Sequence, residues 1–456
     1  MHPKPSVRPK LSCLLLAAWA AGCLNAQQAP ELRQVIERLD RLEAQNRELM
    51  TEILALRQQL AAVQPAPAES VEQAATEVLP QPLAERVEIA ERRLAELDQS
   101  KVSSEHRLPL TVTGMLLFNT FWNGRDAAGA DNPTILSPNA RQGSAGATFR
   151  QSVIGIKLDG PRLIGGGKVT GAVYMDFFGG GTGLNQTARL RVSTLDATWK
   201  NTTLGLAFDK PILSPREPDS LAQVGVSPLT AAGNLWLWQP QARVEHRISL
   251  NENAGLRAQF GLYQTSEGGT GLSAEYPDLA RARPGYQGRF EFWKQSGNRR
   301  IEIAPAFHAS STRVLGQSVP SRIFAIDWLI RPARRVDFTG TFFHGENTGV
   351  VGGLRQGVSV FQGRARAVGA SGGWAQVTFR ATARASFHVY GGQEDDRNRD
   401  LAAGGIAKNQ GYGANVIYRL GSNILTSFES SQVRTTYLGS GTRINPHYDL
   451  AFAYLF

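Results

Sequence analysis

Residues 445–456 read NPHYDLAFAYLF, and from Tyr448 onward every second residue is large and apolar: Tyr448, Leu450, Phe452, Tyr454 and Phe456. Between them stand Asp449 and the small Ala451 and Ala453. Successive side chains of an extended chain point to opposite faces, so this period of two marks a strand with one greasy face. Aromatic rings along such a stripe suit a strand that faces lipid, because rings settle where headgroups meet hydrocarbon.

Working back from that end, the same alternation recurs as far as Leu108. It predicts strands over 109–122, 146–159, 166–178, 187–199, 203–208, 239–249, 254–265 and 285–294. Further strands are predicted over 299–309, 321–331, 334–344, 373–381, 384–392, 411–420, 423–436 and 445–456. In Leu256-Arg257-Ala258-Gln259-Phe260-Gly261-Leu262 one face is apolar and the other polar, as in Tyr286-Gln287-Gly288-Arg289-Phe290-Glu291-Phe292. A soluble sandwich alternates too. Here the connections alternate as well, a tight link near Ser296-Gly297-Asn298 preceding a longer one expected at 310–320. The reading is an all-β transmembrane barrel of about 16 antiparallel strands over 105–456, preceded by an α-helical coiled coil. The final stripe also resembles the C-terminal insertion signal of bacterial outer-membrane barrels, which makes the barrel-assembly machinery an expected partner.

The beginning of the chain agrees with export. Lys4, Arg8 and Lys10 precede the apolar run LSCLLLAAWAAGCL at 11–24, the layout of a signal peptide over 1–26 with cleavage after Ala26. Ala20-Ala21-Gly22-Cys23 allows a second reading as a lipobox that lipidates Cys23. Both cysteines, Cys13 and Cys23, lie in this segment, so cysteine-based metal sites and disulfides are not expected in the mature chain. Residues 27–64 are then expected to form a periplasmic coiled coil. Leu32, Val35, Leu39, Leu42, Asn46, Leu49, Ile53, Leu56, Leu60 and Val63 keep heptad spacing, with Asn46 at an a position where it sets register. Pro65 and Pro67 end it, and 65–104 reads as a Pro/Ala linker with a second short heptad helix from Leu83 to Leu97.

The net charge of +10 is unevenly spread. Residues 105–456 hold about 37 basic and 25 acidic side chains, and all but six of the basic ones are arginine. A basic chain invites nucleic acid, but an exported one must find its anions elsewhere, in small anionic solutes or in lipopolysaccharide and the outer-membrane lipid around it. If the greasy face meets lipid, Arg189, Arg191, Arg243, Arg247, Arg257, Arg289, Arg380 and Arg384 point into the lumen, since a charge on the lipid face costs roughly 2–4 kcal/mol near the midplane. There they form either a charge network that braces the wall, with Asp196, Glu245, Glu291 and Glu302 as partners, or a ladder that attracts anions. One connection stands out. Residues 209–238 are long, carry four prolines, and include Leu213, Leu221, Val224, Leu229, Leu235 and Trp236. They are expected to fold into the barrel as a constriction loop, with Asp209, Arg216, Glu217, Asp219, Trp236 and Trp238 as its functional residues.

Ala188-Arg189-Leu190-Arg191, the Asp209–Trp238 insert and the Gln239-Pro240-Gln241-Ala242-Arg243 that follows it resemble the DcaP-like porins. The resemblance implies a homotrimer of sixteen-stranded channels with a periplasmic coiled coil, in the cell outer membrane, passing organic anions such as dicarboxylates. The alternatives are a phosphate-selective porin, or a structural tether whose barrel is only an anchor. No enzyme is expected. His106, His246, His308, His344, His388 and His447 have no metal-ligand spacing, the glycine tracts at 165–167 and 179–181 lack the rest of a phosphate loop, and no cofactor or metal is implied.

Overall fold

The structure, a computed structural model, describes residues 110–127, 131–139, 142–180, 186–264 and 283–456. The expected leader, the coiled coil with Asn46 and the linker lie outside the described residues. The wall begins with β1 (Leu110–Asn123), β2 (Ser144–Thr148), β3 (Val153–Leu163), β4 (Gly167–Asp176), β5 (Arg189–Trp199) and β6 (Thr202–Asp209). It continues through β7 (Gln239–Asn251), β8 (Ala254–Tyr263), β9 (Gly285–Ser296), β10 (Arg299–Val314), β11 (Gln317–Ala333) and β12 (Val336–Glu346). Outside the wall lies the hairpin β13 (Val358–Phe361) and β14 (Arg364–Ala367). The last wall strands are β15 (Gly369–Arg380), β16 (Ala385–Asp396), β17 (Ile406–Arg419), β18 (Ile424–Tyr437) and β19 (Gly441–Leu455).

Each wall strand pairs antiparallel with its neighbours, and β19 returns to β1 through Met115↔Leu455 to Asn123↔His447, which closes the sheet. Both β2 and β3 pair with β1, β2 along Asn119–Asn123 and β3 along Leu110–Met115. They are one wall strand interrupted at 149–152, so the closed barrel has the expected sixteen.

Closure fixes the two faces. Along β19 the side chains of Tyr448, Leu450, Phe452 and Tyr454 are exposed outward, while His447, Asp449, Ala451 and Ala453 are buried inward. Phe290, Phe292, Ile301, Ile303, Phe307 and Phe324 continue the outer belt. So continuous an exposed apolar surface is costly in water and stable in a bilayer.

Two expectations about the long-loop end need correction. No long loop occupies 310–320: β10 and β11 run on to a tight turn at Leu315 and Gly316, both left-handed with φ of 51° and 75°, as a two-residue hairpin turn requires. The hairpin of β13 and β14 was not expected at all, and it rests on this extension through Val358 against Val314 and Val319. The cause is common to both. These strand ends carry polar outward residues such as Ser311, Arg313 and Ser318, so the apolar alternation stops before the strands do.

Candidate functional site

Residues 210–238 lie inside the barrel and follow its inner wall. The circuit begins beside β7, where the Gln241 amide donates to the Lys210 carbonyl at 3.0 Å. The Ile212 N–H donates to the Tyr263 hydroxyl on β8 at 3.0 Å. Arg216 then reaches Asp327 on β11 at 2.9 Å and Glu302 on β10. The Asp219 N–H donates to Gln376 on β15 at 2.8 Å, and Ser220 donates to Glu429 on β18 at 2.6 Å. Asn119 on β1 holds the Leu221 carbonyl at 2.9 Å, and Arg191 and Arg189 on β5 hold the carbonyls of Val224 and Gly225 at 2.8 and 2.5 Å. The chain then doubles back. Asn409 on β17 donates to the Ala231 carbonyl at 2.9 Å, and Gln239 donates to the Val350 carbonyl at 2.8 Å.

The sequence makes this path favourable in three ways. Apolar loop residues meet small or apolar inward residues of the wall: Leu213 and Leu235 pack with Ala306, Ile323, Ala325 and Phe343, and Leu221 packs with Leu117, Ala451 and Ala453. Glycine clears the way for backbone: a Cβ on Gly392 of β16 would lie 2.6 Å from the Ala232 carbonyl. Third, the interruption between β2 and β3 turns Gln151 inward and buries it. Its carbonyl accepts from the N–H groups of Val224 and Gly225, both at 2.8 Å, and its amide donates to the Ala222 carbonyl at 2.8 Å. An irregular backbone inside a barrel must have its polar groups paired, and this one glutamine pairs three.

The arginines expected in the lumen divide by their partners. Arg189 and Arg191 share Asp176, at 2.6 and 2.8 Å, and both guanidinia lie about 5 Å from the Trp238 ring, at 4.9 and 5.0 Å. Arg243 pairs with Asp209 at 3.0 Å and sits 3.8 Å from Asp196. Arg289 is wholly buried, held by Asp327 at 2.7 Å, Glu291 at 2.6 Å and Gln259 at 2.9 Å. Arg257 joins Glu291 at 2.6 Å, and Arg247 joins Glu245 at 2.7 Å. Arg380 pairs with Asp337 at 2.5 Å. Arg384 stands apart, exposed in the turn between β15 and β16.

Within the loop, Lys210 pairs with Glu217 at 2.6 Å, and the rings of Trp236 and Trp238 meet edge to face at 4.6 Å. The Asp219 side chain is 59 % exposed to the lumen, with His388 3.4 Å away and Gln376 donating to it at 2.5 Å. Enclosure by the barrel works to raise the pKa of its carboxyl, but His388 and Gln376 outweigh it and hold it below the usual carboxylate range. At the level of the loop, then, the arginines and their carboxylates nearly cancel. The groups left partly open to a solute include Arg189, Arg216, Arg243, Arg257 and Lys210 and, against them, Asp196, Asp209, Glu217 and Asp219.

Asp176, Asp327, Gln151 and Glu429 were not singled out from sequence. The first two and Glu429 carry a usable signal, since each falls on the inward parity of its strand; Gln151 carries none, because it lies where the strand breaks. Among the described residues no group of His, Cys, Asp and Glu could hold a metal ion.

Comparison with known proteins places the fold. No family model and no curated protein sequence matches the chain. Among solved structures, the outer-membrane channel DcaP of Acinetobacter baumannii superposes with a TM-score of 0.63 at 13 % identity, over 76 % of this chain and 97 % of that one. The anion-selective porin from Comamonas acidovorans does so with a TM-score of 0.52 at 12 % identity, over 77 % and 100 %. The described region therefore has the fold of outer-membrane porins, as the resemblance to DcaP-like channels implied.

Proposed function

We propose that this protein is a passive outer-membrane porin of the DcaP-like kind, with a preference for small anions such as organic acids. One observation carries the reading: a closed barrel holds a 210–238 loop against its inner wall, with the guanidinia of Arg189, Arg191 and Arg216 on the loop's own path. A loop that follows the wall narrows a lumen without plugging it, and fixed charges at a narrowing set which ions pass. That one structural neighbour is described as anion-selective is in keeping with this preference.

In this reading the short-turn end faces the periplasm and the leader at 1–26 directs export. The heptads of 27–64 act as a periplasmic coiled coil, and the functional unit is a homotrimer set in outer-membrane lipid and lipopolysaccharide. The test is planar-bilayer recording of the purified protein in asymmetric KCl. A zero-current potential of the sign for chloride supports the reading, and cation preference overturns the anion part of it. An electrically silent protein would favour the tether instead. Deleting residues 27–104 should leave conductance unchanged and heat-modifiable mobility on gels intact; loss of both would make the N-terminal segment part of the channel.

A further inference from the structure

At the short-turn end, the turn joining β9 to β10 and the turn joining β11 to β12 enclose a pocket of about 200 Å³. Gln295, Asn298, Arg299, Arg300, Arg331 and Arg334 line it. Four guanidinia around so small a space repel one another unless negative charge intervenes. Among the described residues two carboxylates reach this group, and each is divided. Glu302 pairs with Arg300 but also with Arg216 of the loop. Asp337 holds Arg331 through two contacts at 2.6 and 2.9 Å, and also Arg380 at 2.5 Å. Among the described residues, Arg299 and Arg334 have no carboxylate within ion-pair distance.

We infer that this pocket is an anion site at the mouth of the barrel, built for a small doubly charged oxyanion. The chemistry is specific. Guanidinium forks present paired N–H donors that match the oxygens of phosphate or carboxylate, and the amides of Gln295 and Asn298 add neutral donors at the rim. Two partnerless guanidinia call for two negative charges, which inorganic phosphate or a short dicarboxylate supplies and acetate does not. The inference deepens the anion-porin reading and rests on it for a role in transport: anions that have passed the loop would be collected here before release. The binding itself can be measured without that reading.

The test is calorimetric titration of the intact detergent-solubilised protein with inorganic phosphate, succinate and acetate, compared with the double variant Arg299→Gln/Arg334→Gln. Phosphate or succinate should bind saturably, whichever binds more tightly naming the source, with acetate at least about tenfold weaker. The double variant should weaken binding about tenfold or more, the loss of two charge-assisted contacts. Both positions lie in turns, and unchanged heat-modifiable mobility of the variant confirms its fold; the single variant Arg334→Gln serves if it fails. Unchanged affinity in the variants, or no saturable binding of either dianion, overturns the site. Cation preference in bilayers with phosphate binding retained would remove the transport role and uphold the site.

Discussion

Arg289 and Arg334 belong to the same stretch of wall and carry the same charge, yet their surroundings are opposite. Arg289 on β9 is fully buried and clamped by Asp327 and Glu291, whereas Arg334 lies in an exposed turn with no carboxylate beside it among the described residues. The first kind of arginine dominates at the level of the loop, and the second is found at the short-turn mouth. The difference teaches that the sign of a lumen is not the sum of its side chains. Charge that is paired and hydrogen-bonded braces the wall; charge left over is what a solute meets.

The comparison breaks most visibly at Arg289 itself. Arg289→Ala takes the buried guanidinium away from Asp327 and Glu291, which keep only the partly exposed Arg216 and Arg257 as cationic partners. Removing one partner of a buried pair costs about 3–5 kcal/mol, because the other charge stays behind. The expected result is a barrel that unfolds at markedly lower urea or temperature in detergent, read from the loss of its heat-modifiable gel form. Wild-type stability in this variant would mean that the network is ornamental.

A second effect should appear in selectivity. Asp176 is fully buried and offsets one of the two positive charges of Arg189 and Arg191 beside Trp238. In Asp176→Asn the loop carbonyls of Val224 and Gly225 still hold both guanidinia, so the arginines stay in place with one less negative charge. A unit charge about 7 Å from a passing ion in water is worth roughly 0.6 kcal/mol, with opposite sign for chloride and potassium, so their permeability ratio should rise about sevenfold. Zero-current potentials before and after the substitution measure it. An unchanged ratio would move the selective step away from the loop and toward the mouth.

Gln151→Ala sharpens the same contrast by loosening the loop without touching a charge. It removes the acceptor of two backbone N–H groups and the donor to a carbonyl, at about 1–3 kcal/mol for the polar groups left unpaired. The wall loses only the Gln151 amide's contact with Asn119 on β1 at 3.2 Å, so the barrel should stay folded while residues 222–225 lift from it. Greater current noise from a barrel that remains folded is the expected signature, and a quiet channel would show that Arg189 and Arg191 suffice to hold the loop.

Much of this was legible in the sequence, and the rest failed for physical reasons. The stripe at 448–456 and its fifteen counterparts predicted every wall strand, because lipid on one side imposes the period of two wherever a strand crosses the membrane. Beyond the membrane that pressure disappears, which is why β10 and β11 were cut short and β13 and β14 were missed. The choice between a bracing network and a ladder was open to a finer reading. On a strand, residues i and i+2 share a face, so Glu245-x-Arg247, Arg289-x-Glu291 and Arg300-x-Glu302 announce their own pairing. Arg189 and Asp176 stand directly opposite each other on the adjacent strands β4 and β5, whereas the longer contact of Arg216 with Asp327 depends on the path of a loop, and no local spacing encodes it.

The smallest expected effect is the most telling control. Arg247 pairs with Glu245 at 2.7 Å, a contact shorter than that of Arg216 with Asp327 at 2.9 Å, but its side chain is 66 % exposed while Glu245 is also held by Gln259. Water already solvates this guanidinium, so its ion pair has little desolvation to offset and little to contribute. Arg247→Gln should change stability by no more than about 1 kcal/mol, against several for Arg289→Ala, although both remove an inward arginine from an apparently good pair. Urea unfolding of the two variants side by side decides whether burial, and not distance, separates arginines that hold the wall from those left to act on solutes.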